Sequence, residues 1–306
     1  MGIAERVGAK PIEALKVRTR GRMFPRLLVL PAVLVLLTVG IFPLVYSLRA
    51  SFLDWNLLSV APPRFIGIHN YVQIFLHDGE ARSSLEITLF FIGSVVLVQI
   101  PLGLLLALLV NNLPKVAKLI ATVLVIPMVL APSVVAFQWV QILNQQFGPL
   151  DYLLHLARLP TPAWLANPGT ALASLLVTDL WEWLPLPFLI VLGGLQSIPQ
   201  RAIEAAQVDG SSKWQVFWYV KLPMLKQFLA IALILRLIEA FKNLGLVYIM
   251  TQGGPGSSTE NLAYYTYRAG LVHFDIGYSS ALAMIQLVII IFLVRGILRY
   301  AESLRR

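Results

Sequence analysis

The chain has 306 residues, of which 58% are hydrophobic and only 13% are charged, and its mean hydropathy is +0.77. These values exclude an ordinary soluble domain, because several apolar runs exceed the roughly 20 residues needed to cross a bilayer. The net charge of +9 is typical of the cytoplasmic flanks of membrane helices and does not predict nucleic-acid binding, because the basic residues lie beside the apolar runs. The chain has no cysteine, which excludes disulfides, thiol catalysis and cysteine–zinc sites.

The N-terminal segment predicts a basic cytoplasmic tail followed by a membrane helix. Residues 1–26 are rich in Lys and Arg, and only Glu5 and Glu13 oppose them. The apolar run 27–48 is too long for the core of a cleaved signal peptide, and no small-residue cleavage pattern follows it. We therefore expect the first transmembrane helix at 27–48, and an extracytoplasmic loop at 49–84.

The remaining hydrophobic pattern predicts five further spans within a permease core of residues 85–299. We expect them at about 85–110, 116–143, 170–195, 227–250 and 280–298, followed by a cytoplasmic tail at 300–306. In the second span, Gly93, Gly103 and Ala107 are small enough to let helices approach closely. Pro127 and Pro132 predict a kink or break in the third span.

The distribution of basic residues predicts the orientation of the chain. Six spans place both termini on one side, together with the turn between the second and third spans and the segment 197–223. These regions hold most of the Lys and Arg residues, whereas the opposite loops hold Arg49, Arg64, Arg82, Arg158 and Arg268. By the positive-inside rule the richer side is cytoplasmic. The predicted fold class is an all-α membrane protein with six transmembrane helices and cytoplasmic termini.

The polar segment 197–223 predicts two short helices joined by a tight turn. Ser197 and Gln200 have the spacing of a capping box, which would start the first helix. Asp209-Gly210 then supplies a residue that tolerates positive φ and stops it.

The second helix of this segment is predicted to begin at another capping box, Ser212 to Gln215. Leu222-Pro223 is expected to end it before the fifth span. A pre-shaped helical hairpin on the cytoplasmic side of a membrane protein predicts a docking element.

The sequence contains no nucleotide-binding signature. The glycine cluster Gly253–Gly256 lacks the Lys-Ser/Thr of a phosphate loop and falls on the predicted outer side. If transport uses ATP, both ATP and magnesium would be bound by another subunit, and no cofactor is expected here. The four histidines lie in predicted outer loops without metal-ligand spacing, so no metal site is predicted.

Charged residues inside the predicted spans form two groups with i,i+3 spacing, Asp179 with Glu182 and Arg236 with Glu239 and Lys242. Asp179 and Lys242 lie at matched depths of about 12 Å in antiparallel helices, which predicts that they pair. Isolated charges at such depth are costly. They are therefore expected either as ion pairs that hold the helices together or as the lining of a hydrophilic path.

Other polar and aromatic residues of the spans leave the same two alternatives open. Amides could bind solute hydroxyls or hydrogen-bond between helices, and aromatic rings could stack on a sugar or face lipid. The residues concerned are Gln99, Gln138, Asn243, Gln286, Trp139, Trp181, Trp183, Phe241 and Tyr248.

The segment 197–223 resembles the EAA loop of ABC importer permeases. It contains Glu204-Ala205-Ala206, then Gly210 after three residues, and Leu222-Pro223 at the end of the pattern. Only the isoleucine of the family pattern differs, being Val220 here. Further stretches resemble the carbohydrate-type permeases, at 65–71, 179–199, 236–270 and 273–283. One departure is Gly245, where many members carry aspartate.

This resemblance implies a permease subunit of a prokaryotic cytoplasmic-membrane importer for a sugar or related polar solute. It implies a second permease subunit, two ATP-binding-cassette ATPases that receive the EAA loop, and an extracytoplasmic solute-binding protein. The alternatives are a self-sufficient secondary transporter or channel, and a membrane-embedded enzyme, for which no acid/base or metal constellation is found.

Overall fold

The computed structural model describes residues 23–113 and 115–303. Most of the predicted N-terminal tail, residues 1–22, and residues 304–306 of the predicted C-terminal tail lie outside this part of the chain. The chain divides into two compact units, Met1–Tyr46 and Ser47–Arg306.

The first apolar run forms one continuous helical stretch. It consists of α1 (Met23–Val35), a π-helical turn (Leu36–Ile41) and α2 (Phe42–Ala50). Residues 28–50 are long and apolar enough to span a membrane. Residues 28–46, which belong to the first unit, are exposed on all sides of the helix. A helix that is apolar all round needs lipid or another helix around it.

The second unit is built almost entirely from helices. They are α3 (His69–Val72), α4 (Gly79–Asn111), α5 (Ala117–Val129), α6 (Pro132–Ile142), α7 (Pro149–Leu156), α8 (Pro168–Trp183), α9 (Pro185–Ser197), α10 (Gln200–Val208), α11 (Lys213–Val216), α12 (Leu222–Phe241), α13 (Gly245–Met250), α14 (Leu262–Tyr267) and α15 (Ile276–Ser303). Three π-helical turns lie at Gln73–His77, Phe217–Lys221 and Arg268–Val272. Strands β1 (Leu53–Asp54) and β2 (Arg64–Phe65) form a short antiparallel pair in which Leu53 lies opposite Phe65.

Four helical stretches of the described residues are long and apolar enough to cross a membrane, namely 28–50, 79–111, 168–197 and 276–302. Helices α5 and α6 meet at an angle of 95°, and they count as a fifth span if the bent pair crosses the membrane as one. This bend at Pro132 confirms the predicted break. The count of six spans stays a prediction, since α12 carries Lys226, Arg236 and Glu239 and is too charged to qualify on composition.

The predicted fifth span, 227–250, is interrupted. Helix α12 ends at Phe241, and Lys242–Leu244 connect it to α13. The carbonyls exposed by the break are bound by side-chain amides: Gln286 Nε2 donates to Phe241 O at 2.7 Å, and Asn261 Nδ2 donates to Asn243 O at 2.6 Å. A break inside a membrane is tolerated when its backbone groups find such partners.

Close packing of α4 against α9 forms one centre of the core. A Cβ atom on Gly103 would lie 2.9 Å from Phe188 N and 2.9 Å from Pro187 Cβ, so only glycine permits this approach. Ala107 is fully buried nearby. The prediction is confirmed for Gly103 and wrong for Gly93, where an added Cβ atom would have no neighbour within 4 Å among the described residues.

Candidate functional site

The first helix of the predicted docking segment is α10. The sequence predicts the end of this helix correctly but not its start. Gly210 adopts φ of +84°. Its N–H donates to Gln207 O at 3.0 Å, and Ser211 N–H donates to Ala206 O at 3.0 Å. These two bonds are a complete Schellman motif, which confirms the predicted stop at Asp209-Gly210.

The predicted capping box at the start of α10 is wrong. Ser197 is the last residue of α9, and its hydroxyl donates to the carbonyl of Gly194 at 2.7 Å within that helix. Pro199 is instead the N-cap residue of α10, in an extended conformation, and its side chain accepts no hydrogen bond.

The second helix begins as predicted but does not end as predicted. Ser212 Oγ accepts from Gln215 N at 3.3 Å, and Gln215 Oε1 accepts from Ser212 N at 2.7 Å, which confirms the capping box. Leu222-Pro223 does not stop the helix: α11, a π-helical turn and α12 follow one another without a gap to Phe241. Pro223 is tolerated because it lies in the first turn of α12, just after the π-helical turn. The docking segment therefore continues directly into the fifth predicted span.

The surface of α10 is open. None of its side chains is buried; Glu204 and Asp209 are exposed, and Val208 is 87% exposed. A Cβ atom on Gly210 would have no neighbour within 4 Å among the described residues. We name residues 200–223 the coupling hairpin; its exposed face contains Glu204, Ala205, Asp209 and Gly210.

A buried polar network joins three helices of the membrane core. Asp179 of α8 and Arg236 of α12 form an ion pair and are 1% and 0% exposed. Gln99 of α4 donates through Nε2 to Asp179 O at 3.0 Å and to Asp179 Oδ1 at 3.1 Å, and it accepts from Arg236 Nε. Asn243 Nδ2 donates to Asp179 Oδ2 at 3.2 Å. The Arg236 guanidinium also lies 5.7 Å above the Trp183 ring, a cation–π distance.

The predicted pairing of Asp179 with Lys242 is wrong. Lys242 lies just beyond the end of α12, and its Nζ lies 2.8 Å from Glu239 Oε1 of the preceding turn. The depth comparison failed because it assumed a helix continuing to residue 250, and it neglected the reach of the longer arginine side chain. The five charges thus separate into a buried pair, an exposed pair (57% and 30% exposed), and Glu182.

Glu182 is the charge that the network does not include. It is 1% exposed, and neither carboxylate oxygen has a hydrogen-bond partner of normal geometry among the described residues. The same holds for Trp139 Nε1 and Arg236 Nη1. Buried polar groups are normally hydrogen-bonded, so this region of α8 is suited to binding a further polar group.

A second polar cluster, which the sequence interpretation missed, ties α4 to α14 and α15. Asp78 caps α4 by accepting from Ala81 N at 2.9 Å, and the hydroxyls of Tyr265 and Tyr278 donate to its carboxylate. Burial raises the pKa of Asp78, but these donors more than offset it and hold the pKa below its usual value. Tyr265 and Tyr278 are 187 and 200 residues away from Asp78 in the chain, so no local spacing could have revealed the cluster.

Arg268 forms two ion pairs, one with Glu80 in the first turn of α4 and one with Glu260. Its Nε lies 3.2 Å from Glu260 Oε1. Burial raises the pKa of Glu260 in spite of the neighbouring guanidinium.

The sequence profile of the family described as "Binding-protein-dependent transport system inner membrane component" matches residues 99–305. The chain belongs to this family. Two curated members are similar over most of their length. One is a probable ABC transporter permease protein of Sinorhizobium fredii, 34% identical over 92% of both chains. The other is the trehalose/maltose transport system permease protein of Thermococcus litoralis, 30% identical over 90% of this chain and 92% of that one.

The fold of this inner membrane component is also found in a solved transporter. A chain of a bacterial ABC transporter involved in alginate import superposes with a TM-score of 0.79 at 21% identity, covering 93% of this chain and 96% of that one. The chain is thus a multi-pass membrane permease of the binding-protein-dependent type.

Proposed function

We propose that this permease forms the membrane path of an ATP-binding-cassette importer for a sugar or related polar solute, in the cytoplasmic membrane. Its partners would be a second permease subunit, two ATPases that bind ATP and magnesium, and an extracytoplasmic solute-binding protein. The observation that carries the proposal is the coupling hairpin, in which the EAA spacing falls on an exposed, capped helix.

The hairpin is built to transmit movement. From Lys213 to Arg236 the helix runs without a gap, a length of about 35 Å at the usual rise per residue. A force applied at Glu204 or Gly210 by a closing ATPase dimer would pass through the turn between α10 and α11 into this helix, and along it to the Asp179–Arg236 pair. Such a connection couples a cytoplasmic site to a membrane site, as alternating access requires.

The exposed pair Glu239–Lys242 supports a hydrophilic path beside this element. Charged groups at membrane depth are too costly to face hydrocarbon, so this face of α12 would line the path or meet the second permease. Asn243, which donates to Asp179 and is partly exposed, continues the buried network toward this surface. In this proposal the chain performs no chemistry of its own.

The test is ATP-driven uptake by the reconstituted complex. We expect the chain to be purified together with an ATPase, and Glu204→Lys or Gly210→Pro to abolish uptake and ATPase association while membrane insertion is retained. Glu302→Lys, a charge reversal at an exposed carboxylate on the same predicted side, should have no effect. Uptake without ATP, as a secondary transporter or channel would show, or normal uptake by Glu204→Lys would contradict the proposal.

A further inference from the structure

Three tyrosines form an aromatic surface where α13 and α14 meet. The rings of Tyr248 and Tyr267 lie 5.2 Å apart at 72°, and Tyr264 lies 6.4 Å from Tyr248 and 6.0 Å from Tyr267. Tyr248 is 45% exposed and the other two are partly exposed. We name these residues the tyrosine trio. Large aromatic rings left open beside polar groups are typical of ligand sites.

The tyrosine trio is fixed to the buried network by direct hydrogen bonds. Asn261 caps α14 by accepting from Tyr264 N at 2.8 Å, and its Nδ2 donates to Asn243 O at 2.6 Å. Asn243 in turn donates to Asp179. Gly253 leaves room for this arrangement, because a Cβ atom there would lie 3.0 Å from the Tyr264 ring. The surface is thus part of the same structure as the proposed path, at its predicted outer end.

The charges around the trio and the network do not favour an anionic solute. The described cations of this region, Arg236, Lys242 and Arg268, are each already paired with a carboxylate. Glu182 adds a further buried carboxylate whose oxygens have no hydrogen-bond partner among the described residues. Binding a phosphate or sulfonate strongly requires a cation that is free to donate to it.

We propose that Tyr248, Tyr264 and Tyr267 stack against the ring of an uncharged pyranose sugar that enters the path. This inference rests on the proposed importer function and narrows its substrate class. The apolar C–H face of a pyranose would pack on the rings. Glycerol 3-phosphate, named for one relative in Agrobacterium fabrum, is an acyclic anion. It has no ring to stack on the tyrosines, and the protein offers it no unpaired cation among the described residues of this region.

The experiment uses the full complex in proteoliposomes, with its binding protein and ATPases. Uptake of radiolabelled maltose, trehalose and glycerol 3-phosphate is measured first. The dissociation constant of the transported sugar is then measured for the vanadate-trapped complex. The variants are Tyr248→Ala and Tyr267→Ala, with Tyr248→Phe to keep the ring and Tyr152→Ala, an exposed tyrosine of α7 outside the trio, as control. Tyr264 is left unchanged because it packs on the core.

We expect uptake of a disaccharide, and a dissociation constant raised roughly three- to tenfold by each alanine variant. Tyr248→Phe and Tyr152→Ala should stay within about twofold of wild type, since neither removes a ring of the trio. ATPase stimulation by the binding protein should be unchanged.

Two results would overturn the inference while leaving the importer intact: unchanged sugar affinity in both alanine variants, or uptake of glycerol 3-phosphate alone. A loss of binding-protein stimulation in the alanine variants would assign the trio to protein docking instead, and would also overturn it. Purification of the wild-type chain without an ATPase, or uptake that proceeds without ATP, would reject the importer proposal itself.

Discussion

The neutral substitution Asp179→Asn tests how the buried ion pair Asp179–Arg236 differs in energy from the exposed pair Glu239–Lys242. It keeps the shape of the side chain but leaves the Arg236 guanidinium, which is 0% exposed, without its ion-pair partner. Removing one partner of a buried pair costs about 3–5 kcal/mol of unfolding free energy. Lys242→Gln removes one member of the exposed pair, which is 57% and 30% exposed, and solvent screening reduces that cost to about 1 kcal/mol or less.

The assay is unfolding by sodium dodecyl sulfate in mixed micelles, followed by the loss of helical circular dichroism. The double variant Asp179→Asn/Arg236→Met completes the comparison, because it removes both charges together. Its loss of unfolding free energy should be about 0.5–3 kcal/mol smaller than the sum of the losses measured for Asp179→Asn and Arg236→Met separately, since no unpaired charge stays buried.

Two outcomes would refute this account of the core. Equal costs for Asp179→Asn and Lys242→Gln would mean that burial does not distinguish the pairs. Strict additivity in the double variant would mean that Asp179 and Arg236 do not interact energetically, whatever their separation.

Three further changes test other parts of the fold. Gly103→Ala should destabilise by about 1–3 kcal/mol because the added carbon overpacks the α4–α9 contact, whereas Gly93→Ala on the same helix should be neutral or stabilise by up to about 1 kcal/mol; equal effects would refute the contact. Ser212→Ala should cost about 1 kcal/mol through loss of the capping box, measured by thermal unfolding, and an unchanged midpoint would contradict it. Asp78→Asn should lower stability above pH 3.8, the usual pKa of aspartate, because an acid with a depressed folded pKa stabilises only when ionised. Its difference from wild type should shrink as the pH falls below that value, and a difference independent of pH would contradict the assignment.

Local rules predicted the coupling hairpin well. The Ser212 capping box and the Gly210 stop depend on residues within a few positions of each other, and both are present. The errors occurred where a local signal competed with a longer element. Ser197 has the spacing of a cap but belongs to the preceding helix, and Pro223 is absorbed by a π-helical turn.

The partners within the membrane core could not be predicted from spacing alone. The sequence shows Asp179, Arg236 and Asn243 as polar residues in apolar spans, but which of them meet depends on the break after Phe241. Gln99 is one of several amides in the spans, and its spacing does not show that it bonds both members of the pair. The EAA pattern predicts a partner-facing surface because docking constrains a contiguous stretch of chain; that role stays a prediction.

The interruption at Lys242–Leu244 determines how far a movement of α12 can travel. The carbonyls of Asn243 and Phe241 accept hydrogen bonds from Asn261, which precedes α14, and from Gln286 of α15. The break is therefore held from two sides. A rotation of α12 would therefore be shared with the loop after α13 and with the last helix, instead of being lost as a local bend. The amides of Asn261 and Gln286, which stabilise the broken helix in a membrane, would thus couple a movement of α12 at its predicted cytoplasmic end to the opening of the predicted outer end.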